Sequence, residues 1–180
     1  MRSRLPAALI GFLLVAVGAP SEALARPTGG FPRAEAAPAA PGFTVRLLDS
    51  NRAIDTRDLI GKKVLVIRFQ ASYCKPCARE SAAFSRLVAR YRDRGVEFVA
   101  LHVQDTAPDA RRFIRANRVT YPVALDPRLT IGNRFGFKGT PYTVVIDRNG
   151  EMVARIHGES ALNRLPRILD DALRQDQPKS

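Results

Sequence analysis

One stretch of the chain, residues 64–77, limits the possible folds more than any other. Residues 64–69 form a nearly continuous apolar run, as expected for a central strand that is covered on both faces. A tight loop follows, and it brings Cys74 and Cys77, the only two cysteines of the chain, to the predicted start of a helix. This arrangement predicts an α/β domain, and it predicts that any reactive site of the chain lies at this loop.

The segments around this stretch alternate between strand and helix patterns. Residues 76–92 carry apolar side chains at three-and-four spacing, which predicts an amphipathic helix. Residues 96–103 form the next buried strand and complete a strand-helix-strand unit that is expected to be parallel and right-handed. We predict further strands at residues 121–125, 143–146 and 152–156, further helices at residues 108–117, 129–135 and from Ser160 to near Leu173, and an opening hairpin after Phe43.

The first 25 residues have the pattern of an export signal. Arg2 and Arg4 precede an apolar run over residues 5–17, and Ala23-Leu24-Ala25 matches the small-x-small pattern of a signal peptidase site. We predict cleavage after Ala25, which would make the protein periplasmic or secreted. Retention as an inner-membrane anchor facing the periplasm is the less favoured alternative, because the apolar run is shorter than the roughly 20 residues that a spanning helix needs.

The remaining chain divides into a linker and one domain. Residues 26–42 are rich in Pro, Ala and Gly, which predicts a linker or disordered leader. Residues 43–176 have the length of one ordinary domain. The formal net charge of +12 fits a well-solvated surface. In an exported protein this charge favours an acidic partner or peripheral contact with an anionic membrane over nucleic acid.

The two cysteines are predicted to be reactive rather than structural. Disulfides persist outside the cytosol, but a bridge between Cys74 and Cys77 would close too short a loop to stabilise the fold by limiting the unfolded chain. Cys74 would lie at the helix N-terminus, where free N–H groups and the macrodipole favour a thiolate, and Lys75 adds a positive charge. We assign Cys74 as the nucleophile and Cys77 as the resolving thiol. Pro76 is compatible with a first helical turn.

A zinc site is the competing interpretation of the cysteine pair. Zinc would need two more ligands, and the two histidines of the chain, His102 and His157, lie in strand-like segments without the spacing of a zinc finger. We therefore predict no metal and no bound cofactor, and we interpret each histidine as a strand-end or turn residue.

Residues 69–77 resemble the active-site segment of thioredoxin-fold proteins, which usually carry Trp at the positions of Gln70 and Tyr73. Further segments resemble the exported thioredoxin-like disulfide reductases, the TlpA-like group: residues 121–126, 135–141 and 144–150, and Gly158. The resemblance spans residues 43–173. It implies a thioredoxin-like fold, with a central mixed β-sheet flanked by helices and an N-terminal β-hairpin.

The resemblance also implies residues that contact the substrate. Pro141 would be a cis-proline facing the cysteines, and Thr140 would offer its backbone to an extended substrate segment. Taken alone, Pro141 is explained as the opening of a strand, since few X–Pro bonds are cis, and the two interpretations are compatible. Tyr73, Lys75 and Pro76 are assigned to substrate contact at the same place.

Glu80 matches a glutamate that the TlpA-like group carries after its cysteines. It shares the predicted buried helix face with Cys77, and a buried carboxyl group that retains its proton can exchange it with this thiol. The alternative is an acidic residue favoured in the first helical turn. Arg68 departs from the group, which usually has a neutral polar residue there. Arg68 either turns to solvent at the end of its strand or is paired inside the protein. We expect it to pair with Glu80, which would favour the carboxylate and weaken its proton-transfer role.

Together these features predict a periplasmic thiol–disulfide oxidoreductase that cycles between a Cys74–Cys77 disulfide and a dithiol. The resemblance implies a reductant of particular exported partner proteins, of the cytochrome c or oxidase copper-site maturation type, that is recharged by a membrane electron donor. We expect a monomer. One alternative is a copper-binding, metallochaperone-like module of the same fold. The other is a thiol peroxidase, for which Ser72 only loosely matches the required Thr and the preceding Pro is absent.

Overall fold

The structure is a computed structural model, and it describes residues 37–175. The predicted signal peptide and residues 26–36 of the predicted linker lie outside the described residues. Within the described part of the chain, no helix has both the length and the apolar composition needed to cross a bilayer.

Five strands form the central sheet, in the spatial order β5-β4-β3-β6-β7. Strands β3 and β4 are parallel, as are β4 and β5, whereas β6 runs antiparallel to both β3 and β7. The predicted mixed sheet is therefore confirmed. Its strands are β3 (Val64–Gln70), β4 (Val96–Val103), β5 (Val123–Asp126), β6 (Tyr142–Ile146) and β7 (Met152–His157).

The predicted opening hairpin is also present, as a separate two-stranded sheet. Strands β1 (Thr44–Arg46) and β2 (Ala53–Asp55) pair antiparallel, with Val45 opposite Ile54. Backbone contacts begin before the predicted start of the domain at residue 43. The Ala40 N–H donates to the Gly150 carbonyl at 2.8 Å and so attaches this segment to the turn between β6 and β7.

Helices cover the two faces of the sheet and produce two separate cores. The helices are α1 (Lys75–Tyr91), α2 (Ala107–Ala116), α3 (Thr130–Arg134) and α4 (Ala161–Gln175). Helices α1 and α4 pack on one face, against Val64 and Val66. The hairpin, α2 and α3 pack on the other face, against Leu65 and Ile67. Because side chains alternate along a strand, Arg68 belongs to the α1 face of β3.

Two predicted elements are shorter in the structure, for local reasons. The predicted strand at residues 121–125 begins at Val123, just after Pro122, whose nitrogen has no hydrogen to donate to a sheet. The predicted helix at residues 129–135 begins at Thr130, because Leu129 has a left-handed conformation with φ of 57°. Neither difference alters the order of the elements.

Candidate active site

The cysteine loop lies at the edge of the sheet where β3 ends and α1 begins. Strand β6 runs antiparallel to β3 and pairs Tyr142 with Phe69. Pro141, directly before Tyr142, therefore lies at the same edge as the loop. The Thr140–Pro141 bond is cis, as the resemblance implies. The structure thus brings together the cysteine and proline segments, which are far apart in the sequence.

Cys74 occupies the helix N-terminus as predicted. It caps α1 with an extended backbone, and its Sγ accepts a hydrogen bond from the Cys77 N–H at 3.2 Å. The two cysteines are joined by a disulfide, with their Cα atoms 5.2 Å apart. Cys74 retains 5% exposure and Cys77 none, so an approaching sulfur meets Cys74 first.

The residues assigned to substrate contact surround this disulfide with different exposures. The side chain of Tyr73 is 61% exposed and reaches Gln104, with the two side-chain oxygens 3.3 Å apart. Lys75 is exposed, Pro76 and Thr140 are half-buried and Pro141 is buried. The edge therefore offers an aromatic side chain and a positive charge beside a largely buried disulfide.

Arg68 and Glu80 form the predicted pair beneath α1. Arg68 Nη2 donates to Glu80 Oε2 at 2.6 Å, and the two side chains are 0% and 10% exposed. The guanidinium also lies 4.8 Å from the centre of the Phe84 ring. Within the described residues, Nε and Nη1 of Arg68 have no hydrogen-bond partner. Because an unpaired buried charge is costly, Glu80 is the anion that makes the burial of Arg68 tolerable.

A second buried polar cluster lies behind the cysteine loop. Asp105 accepts hydrogen bonds from the N–H and the hydroxyl of Ser72, both at 2.7 Å. Its Oδ2 is also 2.6 Å from Nδ1 of His102, whose Nε2 is 2.8 Å from the Gln70 amide nitrogen. The Tyr121 hydroxyl donates to Gln70 Oε1 at 3.1 Å. Burial lowers the pKa of His102, although Asp105 opposes this effect.

His102 and Asp105 were not among the predicted site residues. His102 lies in strand β4, in agreement with the predicted strand, but the sequence assigns it no role beside the cysteines. In the sequence, His102 and Asp105 lie on either side of the end of the strand that follows the cysteine helix, and this position alone does not indicate their contacts. His157, the other histidine, ends β7 and stacks on Tyr142, with the ring centres 4.2 Å apart. Among residues 37–175, no three His, Cys, Asp or Glu side chains lie close enough together to hold a metal.

Comparison with known proteins agrees with this geometry. The profile of the AhpC/TSA family matches residues 37–155. The thiol-disulfide oxidoreductase ResA of Bacillus thuringiensis (strain Al Hakam) is 32% identical over 126 residues, which cover 70% of this chain and 72% of that protein. ResA of Oceanobacillus iheyensis is 31% identical over 136 residues, which cover 74% of this chain and 70% of that protein.

A solved structure supports the same assignment. The protein from Chlorobium tepidum assigned as the thiol:disulfide interchange protein DsbE has a TM-score of 0.68 and 26% identity to this chain. The superposition covers 77% of this chain and 98% of that chain. This chain therefore belongs to the AhpC/TSA family, and within it is a thiol-disulfide oxidoreductase of the ResA and DsbE type with a TlpA-like thioredoxin fold.

Proposed function

We propose that this protein is an exported reductant that acts on disulfides of particular partner proteins in the periplasm. The observation that carries the proposal is the Cys74–Cys77 disulfide at a helix N-terminus, in which Cys74 alone keeps some exposure. The export pattern of residues 1–25 supports the location.

The reaction proceeds by two successive thiol–disulfide exchanges. In the reduced protein the Cys74 thiolate attacks one sulfur of the partner disulfide, forms a mixed disulfide and displaces the second partner sulfur as a thiolate. Cys77 then attacks Sγ of Cys74, closes the Cys74–Cys77 disulfide and releases the first partner sulfur. The partner gains two electrons and two protons. A dithiol donor at the membrane then returns the protein to its reduced form.

Glu80 has a limited part in these proton transfers. Its carboxylate is held by Arg68 Nη2 at 2.6 Å in a nearly water-free site. A proton on Glu80 would neutralise the carboxylate and leave the buried guanidinium without a counter-charge. The contact therefore assigns Glu80 mainly to balancing the charge of Arg68.

The partner meets the protein at the exposed edge around Tyr73 and Lys75. The cis-proline segment lies at the same edge, so an extended partner segment can pass Thr140 while its sulfur reaches Cys74. Lys75 and the net positive charge favour a partner with an acidic surface, or recharging close to an anionic membrane. Exported apoproteins whose cysteines must be reduced before they bind haem or copper fit this role.

The reduction potential of the Cys74–Cys77 couple tests the proposal directly. The full chain would be equilibrated against glutathione and dithiothreitol buffers, and turnover of insulin disulfides would be measured in parallel. A value near or below about −250 mV is expected for a dedicated reductant. A value near about −120 mV would instead indicate a thiol oxidant and would overturn the reductant role.

Two cysteine variants assign the individual roles. Cys77→Ser should accumulate the mixed disulfide with a partner protein, because the resolving sulfur is missing, whereas Cys74→Ser should form none. The reverse pattern would exchange the two roles. Retention of one equivalent of Cu(I) after dialysis, without insulin turnover, would favour the copper-binding alternative.

A further inference from the structure

Residues 71–74, the last of which is Cys74, form a tight turn. The Cys74 N–H donates to the Ala71 carbonyl at 3.1 Å, with Ser72 and Tyr73 at the central positions. The hydrogen bond of a β-turn joins its first and fourth residues and leaves the N–H of the second residue without a partner inside the turn. In this turn, that N–H belongs to Ser72.

Asp105 supplies the missing partner. One carboxylate oxygen accepts the Ser72 N–H and the other accepts the Ser72 hydroxyl, each at 2.7 Å. Asp105 is 5% exposed, and hydrogen bonds to a charged acceptor are stronger than those between neutral groups. A single carboxylate thus fixes the backbone and the side chain of a residue two positions before Cys74.

His102 in turn holds Asp105. The Gln70 amide nitrogen, 2.8 Å from Nε2 of His102, can only donate, so Nε2 accepts and the ring proton is on Nδ1. Nδ1 therefore donates to Asp105 Oδ2 at 2.6 Å. His102 is fully buried and its β4 position pairs with Gln70 on β3. The carboxylate is thereby tied to the same strand that leads into the cysteine turn.

The backbone between these residues adopts a conformation that is unusual for its sequence. Gln104 has a φ of 54°, in the left-handed region that residues other than glycine rarely occupy. This conformation turns the chain after β4 and returns Asp105 to His102. Residues held in such conformations are concentrated at functional sites.

We infer that Asp105 is a positioning residue for the attacking cysteine and that His102 acts through it. The inference rests on the proposed function, in which Cys74 attacks the partner. Asp105 and His102 together fix the turn so that Cys74 stays aligned with Cys77. This alignment raises the effective concentration of the Cys77 thiol at Cys74. It therefore favours closure of the disulfide over the open dithiol.

The test measures the equilibrium constant for the reaction of the protein dithiol with glutathione disulfide, which yields the protein disulfide and two molecules of glutathione. The full chain and its Asp105→Ala and Asp105→Asn variants would be compared. We expect both variants to lower this constant about tenfold, because hydrogen bonds to a charged acceptor are lost and the turn opens. Asp105→Asn retains the side-chain volume and decides the matter if Asp105→Ala does not fold.

Two His102 variants separate positioning from charge, since both keep the Asp105 carboxylate. His102→Leu removes the hydrogen bond to Asp105 and should lower the constant about threefold or more. His102→Asn places an amide donor near the former Nδ1 and should keep the constant within about twofold of the parent value. Asp109→Asn is the matched control, because Asp109 bonds Thr106 and Arg112 rather than the turn.

The outcomes can be told apart. If the Asp105 variants keep the parent constant and lose only thermal stability, Asp105 is a structural anchor and the inference is overturned. If His102→Leu and His102→Asn behave alike, His102 does not act through Asp105. If the unmodified chain forms no Cys74–Cys77 disulfide in any glutathione buffer, the proposed function itself fails.

Discussion

Nη2 of Arg68 lies 2.6 Å from Oε2 of Glu80, and this ion pair is enclosed between β3 and α1 one helical turn from Cys77. Arg68 is fully buried and its remaining side-chain nitrogens have no partner in the described part of the chain. Glu80 is therefore more than an acid near the cysteines, because it is the counter-charge of a buried cation.

The first prediction concerns the stability of this pair. Glu80→Gln leaves the guanidinium of Arg68 buried without a counter-charge, so it should lower the free energy of unfolding by about 3–5 kcal/mol. The double variant Arg68→Met, Glu80→Met should recover most of this loss, since apolar side chains of similar volume replace the pair. Urea unfolding of the oxidised proteins measures both. Equal losses in the single and double variants would contradict the account.

The second prediction concerns proton transfer during resolution. A positioned general base contributes about 100-fold or more to a rate. Because Arg68 Nη2 already occupies Glu80 Oε2 at 2.6 Å, we expect resolution of a preformed mixed disulfide on Cys74 to slow by less than about tenfold in Glu80→Gln. Stopped-flow measurement of the released thiol follows this step. A loss of about 100-fold would restore Glu80 as the main proton acceptor for Cys77.

Local sequence patterns were sufficient to predict much of the fold and the cysteine site. The apolar run of β3, the one-sided pattern of α1 and the two cysteines are contiguous in the sequence, so their relation depends on neighbouring residues alone. The Arg68–Glu80 contact was also predictable, because both residues fall on inward faces of adjacent elements. The resemblance to a known group supplied the cis conformation before Pro141.

The contacts of Asp105 could not be predicted in the same way. They require the register that sets His102 beside Gln70, and a register is a property of two strands rather than of one. They also require the left-handed backbone conformation of Gln104. Glutamine rarely adopts this conformation, so the sequence does not indicate it. A polar residue at a strand end gives no sign of the partner that tertiary structure brings to it.

The third prediction concerns partner recognition by Tyr73. Its side chain is 61% exposed beside Cys74, so Tyr73→Ser should leave the free energy of unfolding within about 0.5 kcal/mol of the parent value. The KM for a protein disulfide should rise severalfold, while the rate with a small aromatic disulfide stays unchanged. Tyr73→Phe is the matched control and should retain the parent KM. Equal slowing with both substrates would mean that Tyr73 takes part in the thiol–disulfide exchange itself rather than in binding the partner protein.

The fourth prediction concerns the pH dependence of stability. Burial lowers the pKa of His102 below its ordinary value of 6.5 in the folded protein, so the unfolded chain binds more protons between these two values. The contribution of neutral His102 to the free energy of unfolding is fully present above about pH 6.5 and is lost as the pH falls toward the folded-state pKa. The loss is no more than about 1.4 kcal/mol per pH unit.

The comparison that isolates this contribution is between the parent protein and His102→Asn, which cannot titrate at this position. Urea unfolding would be measured at intervals from pH 7.5 to pH 5. Asp105 is the charged group that faces His102, and it is present in both proteins. The stability advantage of the parent should therefore shrink steadily below pH 6.5. Parallel curves over this range would mean that His102 keeps its ordinary pKa in the folded protein.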